Sequence, residues 1–526
     1  MKNNQTKYCG NTPNINSETS SSHLEYSQIQ SKHSTAGWVS TIKKLKYFIP
    51  VFLLSFSLLI SSCGKKFLEE APRTITIQDL LKSNDGAQRL TAAVYNKLYA
   101  WGEHSFSWIG VTSITSDDAD KGSDPGDQGT DKGDLDNWTF TPSAISFSDL
   151  WINNFEGIGR ATYAIKFLPQ TNSPDKDRYI GEAKFLRAYY YFNLVRIFGG
   201  VPLIDKVLES ETEIATASTR ASAAEIYALI EKDLTDAAMT LPPVVSSAEN
   251  GRVSQYAAQA LLAKVYLYEK KWGQAKAAVD IVINSHQYAL LPDYSMIWRE
   301  VGEFSKESIW EVNCIGTTPN LGIENYFVVQ APRGANGLGW GFNTPSQDLV
   351  NAYEPGDVRK AATIMFAGET LWDGFQVSPM ASNPRYNYKS YVSKTKETFN
   401  GDDINTNKNL RILRYGEMLL IKAEVENELG NLEIARGALN QIRSRAQLPP
   451  TTASNKDEMR DAIYKERRVE MAFEHDRMFD LQRTGRAGQV LRALGKMYVD
   501  GKNNLFPIPQ REIDLSNGKL VQNPGY

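Results

Sequence analysis

Along most of this chain the apolar positions recur at helical rather than strand intervals. Between Tyr179 and Phe198, Ala183, Leu186, Tyr190, Leu194 and Ile197 form one stripe, and Phe185, Tyr189 and Phe192 form a second. Two stripes on one segment predict a helix buried on two sides, which Gly199, Gly200 and Pro202 bring to an end. Similar periods predict helices over 85–100, 148–168, 221–240 and 456–476.

Two further segments share an internal spacing. In QALLAKVYLYEKKWGQAKAAVDIVI, Ala263 is followed twelve residues later by Ala275, and in GEMLLIKAEVENELGNLEIARGALNQI, Ala423 and Ala435 repeat that interval. Small residues so placed let two antiparallel helices cross closely, as in tetratricopeptide hairpins. Gly430 supplies the helix stop within the second unit. Residues 103–145 and 315–405 lack a sustained period and are rich in Gly, Asp, Asn, Ser and aromatics. They read as long loop insertions on a helical scaffold, and long ordered loops commonly carry function.

Near the N-terminus the pattern changes. Lys43, Lys44 and Lys46 precede an apolar run from Tyr47 to Ile60, and Ser61, Ser62 and Cys63 follow it. The run is too short for a membrane span, which takes about 20 residues, and its flanks are those of a cleaved signal. A small-residue site ending in cysteine predicts a lipoprotein signal that leaves a lipid-modified Cys63, an ordinary secretory signal being the alternative. Residues 1–38 are polar, and no methionine follows Met1 until Met239. A start near Val39 is therefore expected, with residues 1–62 removed as leader and signal.

Composition narrows the function. A hydrophobic share of 41% and a charged share of 23% are those of a globular protein, and a net charge of -3 gives no basic footprint for nucleic acid. After cleavage only Cys63 and Cys314 remain, so an acylated Cys63 excludes a disulfide within the chain. His104, His286 and His475 have no metal-ligand spacing, and no nucleophile motif or dinucleotide fingerprint occurs. The expectation is a binding protein without catalytic residues, cofactor or metal.

Glycan binding needs flat aromatic faces beside amides or carboxylates. Asn137 and Trp138 in DLDNWT, and Trp340, Phe342 and Asn343 in GANGLGWGFN, offer that combination; core aromatics that anchor the loops are the alternative. The carboxylates between Asp117 and Asp134 do not follow the EF-hand order, and a solvated acidic loop is expected. Glu466, Glu470 and Glu474 fall at four-residue intervals along one predicted helix face, interspersed with Arg467, Arg468 and Arg477. They read as ion-pair residues, not as the facing carboxylates of a glycosidase.

Three segments, GEAKFLRAYYYFNLVRIFGGVPLI (Gly181 to Ile204), ERRVEMAFEHDRMFDLQRTGRA (Glu466 to Ala487) and LFPIPQREIDLSNGKLVQNPGY (Leu505 to Tyr526), resemble hallmark segments of the SusD/RagB family. CGKKFLEEAP and NKNLRILRYGEMLLIKAE also fit this family of outer-membrane nutrient-binding lipoproteins of the Bacteroidota. The resemblance implies an all-α-dominated fold of about four tetratricopeptide-like hairpins with irregular loop insertions. Residues 63–526 would form one domain, with halves over about 63–290 and 300–526. It also implies an oligosaccharide ligand and a partner, a SusC-like TonB-dependent outer-membrane transporter that the lipid-anchored protein covers as a lid. A RagB-like peptide cargo stays open, as do a surface glycosidase and a periplasmic protein-binding scaffold. One departure is that Gly64, Lys65 and Lys66 stand where many members carry an acidic run, so exposure at the cell surface follows from the family alone.

Overall fold

The computed structural model describes residues 76–526 apart from 125, 128–129, 317–321 and 335–336. The predicted leader, signal and Cys63 lie outside the described residues. The longer helices are α1 (Gly86–Tyr95), α2 (Ile145–Phe167), α3 (Lys176–Phe198), α4 (Ala223–Thr240), α5 (Gln255–Tyr268), α6 (Trp272–Asn284), α7 (Tyr415–Glu428), α8 (Leu432–Arg445) and α9 (Lys456–Glu470). From α3 to α9 each packs against the one before it, and α9 also returns across α7. The result is an array of helical hairpins.

The predicted stripes account for this packing. Every apolar residue of both α3 stripes is buried, because α2 and α4 cover it from opposite sides. Ala263, Ala275, Ala423 and Ala435 are all fully buried where α5 meets α6 and α7 meets α8. α4 starts on a capping box, with the Ser222 hydroxyl and the Glu225 carboxylate each accepting the other's backbone N–H. Gly430 follows α7 at φ +87°, a conformation that other residues adopt only at a cost.

Two helix expectations need correction. Residues 103–119, expected as loop, are buried throughout and lie in or beside short helical turns over Trp101–His104, Phe106–Ile109 and Gly110–Ile114. Their polar composition hides the helix because Thr112, Thr115 and Ser116 each donate to a backbone carbonyl three or four residues earlier, at 2.6 Å. The other correction is that α9 stops at Glu470, with Phe473 and His475 at positive φ, so Glu474 lies beyond the helix.

Three two-stranded antiparallel ribbons tie distant segments together. β1 (Ala119–Gly122) pairs with β3 (Phe342–Pro345), β2 (Ser308–Val312) with β6 (Leu410–Arg414), and β4 (Ile364–Phe366) with β5 (Arg385–Asn387). The β1–β3 ribbon places Gly122 opposite Phe342 and so fastens the first insertion to the second.

Where β6 meets α9, buried charges neutralise one another. Arg414 reaches Glu470 at 2.6 Å, Glu307 at 3.2 Å and Glu474 at 2.6 Å, Arg359 reaches Glu466 at 2.6 Å and Glu470 at 3.0 Å, and Arg445 also binds Glu470. Burial alone would raise the Glu470 pKa, but Arg445, Arg414 and Arg359 outweigh it and hold the carboxyl well below the usual range. Each of the three glutamates singled out in the sequence is thus occupied by arginine, as the ion-pair reading expects. The acidic segment differs from its expectation. Asp117 and Asp118 are buried rather than solvated, Asp117 on Arg477 at 2.7 Å and Asp118 on Arg468 at 2.7 Å.

Candidate functional site

Trp340 sits in the loop between the short helix Tyr326–Gln330 and β3. Its backbone N–H donates to Val328 O at 2.7 Å, while those of Leu338 and Gly339 donate to Pro332 O at 2.8 and 3.0 Å. The chain passes so close to Val328 that a Cβ on Gly339 would lie 2.0 Å from its carbonyl oxygen, and Gly341 follows at φ +74°. These glycines let the backbone fold tightly beneath the indole. The Trp340 side chain is left 38% exposed on a pinned loop. Gly339→Ala should therefore shift the loop and weaken ligand binding about tenfold, measured by calorimetry; unchanged affinity would mean that the loop does not set the site.

Trp101, just ahead of the first insertion, comes to meet it. The two indole rings lie edge to face, with centroids 6.2 Å apart at 62°. Phe106 braces both, 5.6 Å from Trp101 and 6.2 Å from Trp340, and Phe342 closes the base at 4.8 Å from Phe106. Lys132 Nζ stands 4.1 Å from the Phe106 centroid, a cation held in place by Asp131 and the Ser146 hydroxyl. The turn that carries Trp101 rests on α2: Gly102 lies against the Asn153 amide, whose nitrogen donates to Asp149 O at 2.8 Å and whose oxygen accepts from Lys97 at 2.8 Å. Two residues on, Glu103 is fully buried. Burial, partly offset by the Asn193 amide and Lys97, pushes its carboxyl up to about 8, so it is mainly neutral at pH 7.

The step formed by Trp101 and Trp340 offers two apolar ring faces set at an angle. Neither indole N–H has a protein acceptor among the described residues, so both are open to ligand hydroxyls. The arrangement suits stacking and hydrogen bonding. Among the described residues no three His, Cys, Asp or Glu side chains converge as metal ligands.

The other sequence candidates fare differently. Trp138 is a core residue and not a platform, being 5% exposed, stacked on Phe506 at 5.4 Å and flanked by Tyr498 at 4.7 Å. It caps the helix Lys132–Asn137 at φ +62°, which turns the indole inward, and its Nε1–H donates to Thr115 O at 2.9 Å. Trp138→Phe should lower the unfolding free energy by about 1–2 kcal/mol, because the Thr115 carbonyl loses its buried donor, and leave ligand affinity unchanged. A matching loss of affinity in binding titrations would return Trp138 to the site.

Asn137 is exposed, but its amide donates to Gly133 O within its own turn, at 2.9 Å. Phe342 is buried beneath the tryptophans and supports them without facing solvent. Asn343 is fully buried and donates to Gln330 Oε1 at 2.8 Å, an atom that Asn387 also reaches at 2.8 Å, so it knits the insertion together. Of the sequence candidates, then, Trp340 alone stands in the aromatic step with an exposed face. Trp101 was missed. Its signal was a tryptophan followed by glycine at the break of the predicted helix 85–100, where a bulky ring has no core periodicity to join.

Two histidines far apart in sequence also meet. His104 and His475 both contact Trp108, at 6.1 and 6.4 Å, and burial pushes them down to about 4 and about 3, which keeps both neutral. His104 bonds to Tyr189, and His475 to Thr112 and Tyr326. They brace the floor beneath the insertions.

Comparison with known proteins places this architecture. The profile described as "SusD family" matches residues 306–526, and the one described as "Starch-binding associating with outer membrane" matches 67–267. A solved "Laminarin binding SusD-like protein" is 30% identical, with a TM-score of 0.73, covering 85% of this chain and 100% of that one. The chain belongs to the SusD/RagB family. Another SusD-type structure, surface glycan-binding protein A from Bacteroides thetaiotaomicron in complex with laminarihexaose, is 26% identical, with a TM-score of 0.72 over 84% of this chain and 99% of its own. SusD-like protein P38 of Formosa agariphila is 28% identical over 92% of this chain and 100% of its own length. The helical array of α2–α9 is the tetratricopeptide-like scaffold of the SusD fold, and the ribbons carry its insertions.

Proposed function

We propose that this SusD-family protein captures an oligosaccharide on the Trp101–Trp340 step. It does so as an outer-membrane lipoprotein, acylated at Cys63 and facing the cell exterior, that passes the glycan to a SusC-like TonB-dependent transporter. The observation that carries the binding half is the pair of angled indoles, Trp340 exposed and Trp101 half-buried, brought together where the turn at Trp101 meets the second insertion. Indole faces match the C–H faces of sugar rings, and two set at an angle follow a curved chain better than a flat one. The names of the relatives that bind laminarin or laminarihexaose support the same cargo class. Tethering supports delivery, since a lipid-anchored receptor holds its cargo at high effective concentration over one pore. The mechanism is binding and release, with no covalent step.

Calorimetric titration of the full chain in detergent with laminarihexaose, other neutral oligosaccharides and a peptide library tests the cargo. Glycan binding without peptide binding is expected. Peptide binding alone would favour the RagB-like alternative, and release of new reducing ends on long incubation would favour a glycosidase. For the partner, affinity capture from native membranes should bring down a TonB-dependent β-barrel, and recovery of the chain alone would count against delivery.

A further inference from the structure

A groove of about 520 Å³ lies between α1, α2 and β2, apart from the tryptophan step. Its volume falls in the range of small-ligand sites, about 300–1,000 Å³. It opens because α1 presents Ala92 and Ala93 there, where larger side chains would fill the space. The half-buried rings of Tyr95 and Tyr99 line one wall, each fixed through its hydroxyl: Tyr95 accepts from Val253 N–H at 3.1 Å and Tyr99 donates to Asn313 O at 2.8 Å. Amides of Asn96, Asn250 and Asn313 add polar lining.

The charge of this wall is one-sided. Arg89, Arg160 and Arg252 line it, and no Asp or Glu does. Arg252 is neutralised from behind by Glu182 at 2.7 Å, and Arg89 reaches out to Asp85 at 3.1 Å. Arg160 makes no ion pair among the described residues. Its Nη1 donates to Ala93 O at 3.1 Å and weakly to Asn96 Oδ1 at 3.4 Å, which ties the exposed guanidinium to two other groove residues and leaves its charge unmatched. A guanidinium held this way is suited to an oxyanion, two of whose oxygens it can take through parallel hydrogen bonds.

We propose that the groove is a second subsite, for an acidic sugar whose carboxylate or sulfate ester binds Arg160 while its ring lies along Tyr95 and Tyr99. The segment 96–101 contributes to both sites, Asn96, Leu98 and Tyr99 to this groove and Trp101, two residues after Tyr99, to the tryptophan step. The inference rests on the reading of the protein as a glycan binder and adds the charge of the glycan.

The test is calorimetry on the full chain with three probes of equal length: neutral laminarihexaose, an oligogalacturonide and a sulfated galacto-oligosaccharide. The expected result at about 50 mM salt is that at least one acidic probe binds and weakens about tenfold in Arg160→Gln, less in Arg160→Lys, and about tenfold in the unaltered chain at about 500 mM salt. The neutral probe should be indifferent to both changes. The better of the two acidic probes tells carboxylate from sulfate. The proposal is overturned if neither acidic probe binds, if their binding ignores Arg160→Gln, or if that substitution weakens the neutral probe equally; a thermal midpoint checks that each variant is folded. Trp101→Ala separates the two readings. Loss of neutral binding there, with acidic binding unmoved by Arg160→Gln, keeps the tryptophan step and removes the groove, whereas the reverse pattern keeps the groove and removes the step.

Discussion

Glu470→Gln should lower the unfolding free energy by about 3–5 kcal/mol, the usual cost of removing one member of a buried ion-pair network. The substitution is nearly isosteric, so no cavity contributes. The charge and one of two acceptor oxygens are lost, leaving Arg414, Arg359 and Arg445 buried beside a neutral amide. Denaturant unfolding should show a lower midpoint at an unchanged slope. A loss below about 1 kcal/mol would mean that Glu466, Glu474 and Glu307 suffice to neutralise the arginines. The same network sets the acid limit. Because the folded Glu470 pKa is held below its unfolded value, its contribution is present in full above the ordinary glutamate range, near pH 4–5, and is lost as pH falls below it. Glu470→Gln should therefore flatten the decline of stability towards acid.

Trp101→Ala and Trp340→Ala should each weaken oligosaccharide binding about 30-fold or more, the scale of a tryptophan hot spot worth at least about 2 kcal/mol. Trp340 is exposed and Trp101 is half-buried, so folding should suffer less than binding, least in Trp340→Ala, and thermal midpoints check this. The double variant should lose less than the sum of the two single losses, since both rings would share one ligand. Trp372 provides the control. It is more exposed than Trp340 and makes no ring contact with Trp101 or Trp340, Arg299 lying 5.1 Å from its ring centroid. If Trp372→Ala abolishes binding and the other two do not, the site is misplaced.

Much of the scaffold was legible in the sequence. The α3 stripes and the twelve-residue alanine spacing are local patterns, and local periodicity is what a helix expresses. The ends were harder to read. Residues 103–119 went unread as helix because their hydroxyls bond to nearby carbonyls, so polar residues occupy buried positions. Glu474 followed the four-residue rhythm of α9 yet falls after its end, where Arg414 and Lys389 hold it from other elements.

At the site the loss was greater. Trp138 and Trp340 stand in similar surroundings of Gly, Asn and Asp, and nothing local separates them. Trp138 is covered by Phe506 and Tyr498, which lie near the far end of the chain, while Trp340 is propped from below by Phe106 and keeps one face in water. The helices and the family motifs are written in the sequence because each depends on neighbours within a few turns, and so is the charged face of Glu466 and Glu470, although their arginine partners, Arg359, Arg414 and Arg445, come from other elements. Which tryptophan stays exposed, and that Trp101 joins Trp340, emerge from the folded chain, because exposure is the outcome of contacts between segments that the β1–β3 ribbon brings together across the chain.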